Sequence, residues 1–364
     1  MGTGASLVTS RLNLKSLSGR IIWGAFAFVL LAIGAITAMW FAGAAQVREQ
    51  IARVGQNFAG DGGQFTVQTL RVTGFPFAYE AELGNLALAG RDARGTWEWR
   101  ADRARLTMSP WLGRNIVFDL SGNHRLRTRL GRLPLDLEIA AQKAPGEIQL
   151  GSAAAPALYK ILPENIRAKE LTTGAEMAAD RASFQLFIYP PQERKTANNT
   201  QAAAGVLVEL AGVGLPPAWA KFLGPKLAKL ATEIQVLGDV PVPVDRRNIA
   251  RFREAGGSVE VKSLALEWGP ARIDGSGTLT LDAGLQPEAS FAARMTGFEE
   301  TADALVAAGL IRAQEAQGVK LLLSLMARRS DPGRGAEIRV PITIQDRTVY
   351  VGPARLARLP QIRW

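Results

Sequence analysis

The chain has 364 residues, 47% of them hydrophobic, and carries 43 Lys and Arg against 33 Asp and Glu for a net charge of +10. That much apolar surface supplies a core for one large or two ordinary domains and excludes wholesale disorder. The absence of cysteine excludes disulfides, thiolate nucleophiles and cysteine metal sites, while the basic balance suits an anionic partner: lipid headgroup, nucleic acid or acidic protein.

Residues 21–45, IIWGAFAFVLLAIGAITAMWFAGAA, contain no charge and are long enough to cross a hydrocarbon core of about 30 Å as one helix. Arg11, Lys15 and Arg20 precede them with no acidic residue, so the positive-inside bias makes residues 1–20 a cytoplasmic basic tail and sends the remainder across. Trp23 and Trp40 stand near the two ends, where aromatic belts form. A cleaved signal peptide is the competing reading, because Ala42-Gly43-Ala44 has small-residue character. The apolar part of such a leader runs to only about 7–15 residues, so a retained anchor is expected. Residues 46–63 space Val47, Ile51 and Val54 as a short juxtamembrane helix, which Gly60-Asp61-Gly62-Gly63 ends.

From Gln64 onward the period is two, giving a first β half over 64–190. Apolar and small residues alternate from Phe75 to Leu83; at Gly84-Asn85 the parity passes to Leu86 and Leu88, a phase change that predicts a bulge or tight bend. The next strand repeats it, with Trp97, Trp99 and Ala101 on one parity and Ala104, Leu106 and Met108 on the other. Leu133, Leu135, Leu137 and Ile139 alternate again. PPQERKTANNTQAAA at 190–204 predicts a loop, placed at 191–204, before a second β half over 205–364 with helical inserts. In that half Ala271, Ile273, Gly275, Gly277, Leu279 and Leu281 share a face, as do Ile338, Val340, Ile342 and Ile344.

Helical spacing is confined to inserts. Trp219, Phe222, Leu223, Leu227 and Leu230 align on one stripe, predicting a helix over 215–230. Asp245 is a candidate N-cap with Gly256 as the stop. Residues 299–327 read as two helices parted near Gly309, the second burying Val319, Leu322, Leu323 and Met326. The fold class is therefore mainly β (α+β): a large, strongly twisted antiparallel sheet with a few inserted helices, preceded by one transmembrane helix.

Chemistry-bearing motifs are sparse. His124 is the only histidine, so no two-histidine metal facet or HExxH pattern exists, and no GxSxG elbow or phosphate-cradling GK[ST] loop occurs. Glu80 and Glu82 lie two apart on a strand, the ordinary spacing of a solvated face. In NHRLRTRLGR, Arg125, Arg127 and Arg129 share one parity opposite Leu126 and Leu130, a row suited to an anionic surface. Aromatics are not interleaved with basic residues, and no nucleic-acid module is present.

GFPF at 74–77, WEWRADRARLTMSP, GGSVEVKSLALEWGPARIDGSGTLTLD, GFEETADALVAAGLI and VPITIQDRTVYVGPARLARLP together resemble the alphaproteobacterial envelope family catalogued as domain of unknown function 2125. The block at 268–282 is also similar to repeats of AsmA-like proteins, inner-membrane-anchored periplasmic proteins linked to lipid movement and outer-membrane maintenance. Arg347 and Phe252 depart from the family pattern, which usually has a glycine and a tryptophan there. The resemblance implies a periplasmic protein with one inner-membrane anchor and brings no catalytic residues. The expectation is a non-enzymatic protein without metal or cofactor and without a nucleic-acid partner, binding or guiding lipid or maintaining the envelope. The alternative is a periplasmic scaffold for protein partners; a hydrolase using unflagged carboxylates ranks behind both.

Overall fold

The structure is a computed structural model that describes residues 14–60, 62–92, 95–111, 114–130, 133–151, 156–189, 201–240, 244–310, 312–326, 328–329, 336–352, 354–362 and 364. Residues 1–13 of the basic tail and 190–200 of the expected loop lie outside these.

Helix α1 runs without a break from Leu14 to Gly60. The apolar segment and the juxtamembrane helix are thus one element. Trp40, Ala44, Val47 and Ile51 carry a single stripe across the expected join, and no glycine or proline pair interrupts it before Gly60. That stripe buries against Val72, Ala81, Leu83, Leu86 and Ala104 in the first three strands.

Those strands are β1 (Gln64–Thr73), β2 (Tyr79–Asp92) and β3 (Gly95–Met108). Every pairing among the described strands is antiparallel, and the long strands pair mostly with their neighbours in the chain. β4 (Asn115–Asp119) and β5 (Gly122–Leu130) pair in turn with β3, as the two halves of one interrupted strand. β6 (Leu133–Lys143) with β7 (Pro145–Leu150), and β8 (Pro156–Ile161) with β9 (Glu164–Glu170), repeat that interruption and lead to β10 (Glu176–Ile188). The meander continues through β11 (Ala202–Gly214), β12 (Lys226–Leu237), β13 (Ser258–Trp268), β14 (Ala271–Leu281) and β15 (Pro287–Thr296). After the short β16 (Arg328–Arg329) it ends in β17 (Ala336–Gln345), β18 (Thr348–Val351) and β19 (Ala354–Arg358). Residues 202–204 already belong to β11, so the polar segment ends sooner than its composition suggests.

Residues 75–78 form a turn, so β2 starts at Tyr79 rather than at Phe75. The expected bend at Gly84-Asn85 is not one: β2 passes straight through, with Asn85 at φ 51°, a value asparagine tolerates. Burial nevertheless changes parity there, and it does so in three adjacent strands at once, at 68/69, 84/85 and 102/103. The apolar side therefore stays one continuous face. Its step is lined on the opposite side by Gln68, Asn85, Asp102 and Asn123, where the Asn85 and Asn123 amides donate to Gln68 and Asp102 at 2.8 and 3.0 Å.

Four short helices sit at the strand ends. α2 (Pro217–Leu223) is half the length expected: Gly224 at φ 109° and Pro225, which has no N–H to donate, stop it, and Leu227 and Leu230 belong to β12. α3 (Arg246–Glu254) is capped by Asp245, which accepts from the Asn248 N–H, and stops at Gly256. α4 (Phe298–Ala307) and α5 (Ala313–Met326) are parted at Gly309 as anticipated. The side chains of Val319, Leu322, Leu323 and Met326 lie outside the described ones.

Candidate functional site

Direct pairing places one apolar surface across the second half of the sheet. Leu186, Val206, Ile234, Val261, Gly277, Phe291, Ile342 and Val351 oppose one another strand by strand. The rows beside this one are Ile188–Ala204–Val236–Val259–Leu279 and Phe184–Val208–Thr232–Leu264–Gly275, in which Thr232 is the one polar member, and beyond the latter lies Ala182–Leu210–Leu230–Leu266–Ile273. The other face carries Glu209, Glu233, Glu260, Arg272, Asp274 and Arg294, the alternation of a sheet with one wet side.

What lies over the apolar face decides its use. α1 covers it over β1 to β3. α4 covers it at the other end, where Phe298 packs on Ile338, Val340 and Met295. Between them it is open to partial exposure: Phe184, Leu186 and Ile188 are 42%, 37% and 38% accessible, and Val206, Val208, Ile234, Val261 and Leu264 are only half-buried. Gly277 flattens the middle of this surface, because the Phe291 ring lies across it where a Cβ would come within 2.2 Å.

The arginine row is present but engaged. Arg125 donates twice to Asp136, at 2.9 and 2.8 Å, and Arg127 donates to the same carboxylate at 3.2 Å and to Glu98 at 3.5 Å. Arg100 pairs with Glu98 at 2.6 Å. The hydrogen bond from Arg125 holds Asp136 below the usual carboxylate range, and Arg127 adds to that. Arg129 has no ion-pair partner among the described residues. Arg100 and Arg125 line a concavity of about 1050 Å³ together with Asn123, Glu138 and Arg167 and with the apolar Ile139, Met177 and Leu215.

The remaining candidates resolve into structural roles. Glu82 is bonded to Arg105 at 2.7 Å and its acidity is raised by that bond. His124 lies on the apolar face beside Ile139, its ring stacked on Trp99 at 5.7 Å. Its Nε2 donates to the Leu120 carbonyl at 2.6 Å, and its buried Nδ1 has no hydrogen-bond partner among the described residues. Among the described residues no cluster of three His, Cys, Asp or Glu is placed to hold a metal. Sequence reasoning missed the open stretch of apolar face; the signal was in the matching parities of neighbouring strands, which become one surface only once register is known.

One helix among the described residues, within α1, is long and apolar enough to cross a membrane. A family model described as "Uncharacterized protein conserved in bacteria (DUF2125)" matches residues 40–360. No curated protein and no solved structure matches the chain.

Proposed function

The chain belongs to the DUF2125 family, and we propose that it is a non-enzymatic protein anchored in the bacterial inner membrane by α1, with its sheet in the periplasm, whose apolar face binds or guides lipid. One observation carries the reading: a largely apolar surface over β10 to β14, lying between the strands that α1 covers at one end of the sheet and those that α4 covers at the other. A soluble sheet ordinarily buries such a face against its own helices. Exposed contiguous apolar area marks a binding surface, and acyl chains match this one in having no polar group to satisfy. The AsmA-like pattern at 268–282 and the positive-inside bias before α1 support the reading from sequence.

The experiment is purification of the full chain in mild detergent followed by mass spectrometry of extracted lipid. Phospholipid retained in constant proportion to protein is expected. Preparations that are consistently lipid-free after detergent exchange, and that take up no added phospholipid, contradict the proposal.

A further inference from the structure

Helix α1, the β1–β2 turn and the start of β2 meet at one residue. Trp40 is 6% exposed, and its Nε1 donates to the Ala78 carbonyl at 2.9 Å. The Phe75 ring stands edge-on to it at 5.6 Å and Tyr79 lies tilted at 5.8 Å. One turn later, Gly43 makes room for Tyr79, whose hydroxyl would be 2.0 Å from a Cβ there. Residues 74–78 are therefore fastened to the helix at the level of Trp40.

That level is set by the helix itself. The uncharged stretch begins at Ile21, and from there to Trp40 the helix rises about 28 Å at about 1.5 Å per residue. A hydrocarbon core is about 30 Å thick, so Trp40 marks its far boundary and the turn is held at headgroup depth. The chemistry of the turn suits that depth. No charge occurs from Val72 to Tyr79, and Phe77 and Phe75 are 79% and 50% exposed, beside a helix flank where Phe41 is also exposed. Because Tyr79 pairs with Met108, the turn after β3 lies at the same end of the sheet. It carries Trp111, 58% exposed, in the uncharged run Leu106–Gly113. Aromatic side chains settle at the membrane–water interface, where a ring finds both apolar and polar surroundings.

We propose that Phe75, Phe77 and Trp111 form a foot that lies in the interfacial layer of the bilayer crossed by α1, fixing the sheet against the membrane instead of letting it swing from a tether. This rests on the anchor reading above. The occupant is lipid because the foot continues the exposed apolar flank of the helix at a depth the helix dictates.

The chain has no cysteine, so single-cysteine variants of the full chain can be labelled with the fluorophore NBD. Phe77→Cys and Trp111→Cys probe the foot, Ile33→Cys probes the helix, and Glu176→Cys probes the opposite end of the sheet. Each is reconstituted into phosphatidylcholine vesicles containing phosphatidylglycerol and quenched by shallow or deep nitroxide lipids and by aqueous iodide. Position 33 is expected to respond to deep nitroxide, positions 77 and 111 to shallow nitroxide with blue-shifted emission and iodide protection, and position 176 to iodide alone. Should 33 respond to lipid while 77 and 111 behave like 176, the foot is overturned and the anchor stands. Iodide access at 33 removes the anchor and the foot together. Iodide protection at 77 and 111 without nitroxide quenching assigns the patch to a protein partner, which also overturns the proposal.

Discussion

Replacing Trp40 separates the two kinds of interaction that dock α1 on the sheet. The indole touches Phe41, Phe75 and Tyr79 and donates to Ala78. Burying an aromatic side chain removes about 150–250 Å² from water, which at about 25 cal/mol per Å² is about 4–6 kcal/mol. In the undocked state the indole would still sit at the membrane interface, so part of that transfer is kept. Trp40→Ala is accordingly expected to destabilise docking by about 3 kcal/mol, the lower end for Trp-to-Ala in a core. Trp40→Phe keeps most of the packing and loses the hydrogen bond, an expected cost of about 0.5–1.5 kcal/mol. Urea unfolding of the full chain in a fixed detergent, followed by far-ultraviolet circular dichroism, gives both values. Equal effects of the two substitutions, or less than about 1 kcal/mol for Trp40→Ala, would refute the docked helix, since the packing share must dominate.

Gly277→Ala would bring a Cβ to 2.2 Å from the Phe291 ring and 2.4 Å from the Ser290 carbonyl, a clash of the overpacking kind; thermal unfolding should show a loss of about 1–3 kcal/mol. Glu170 accepts from the Thr173 hydroxyl and from the Thr173 and Thr172 N–H groups, which lower its pKa to about 2 from 4.5. A depressed carboxylate stabilises the fold above its unfolded pKa. That contribution is therefore complete above pH 4.5 and fades as pH falls toward 2; Glu170→Gln should flatten this part of a stability–pH curve and leave the neutral-pH ranking of other variants unchanged. At the C-terminus Gln286, nearly buried, exchanges hydrogen bonds of 2.9 and 3.1 Å with Ile362, and Trp364 donates to the Leu285 carbonyl at 2.7 Å. Deleting residues 362–364 should cost about 1–3 kcal/mol in urea unfolding and speed proteolysis at the β14–β15 turn.

The strands and their sidedness were legible because a half-buried strand must alternate, and Ile338 to Ile344 or Ala271 to Leu281 leave no other reading. The parity change at Gly84-Asn85 was legible too, but not its meaning. One strand cannot show that Thr69, Gly84 and Arg103 lie on a single row, since only register reveals that the whole sheet steps there. α2 was over-extended for a related reason: Leu227 and Leu230 fit a helical stripe by spacing, yet Gly224-Pro225 breaks the helix and both fall on the sheet. The arginine row was found at Arg125, Arg127 and Arg129, while its neutralisation by Asp136 and Glu98 depends on residues 9 to 29 positions away that only strand pairing brings near.

The most direct measurement places a photo-crosslinking amino acid at Val206, on the open apolar face, and separately at Glu209, on the polar face of the same strand, in cells carrying the full chain. After irradiation, the Val206 variant is predicted to carry phospholipid adducts by mass spectrometry and the Glu209 variant none. Adducts absent from Val206, or equal at the two positions, would contradict a lipid-bearing face.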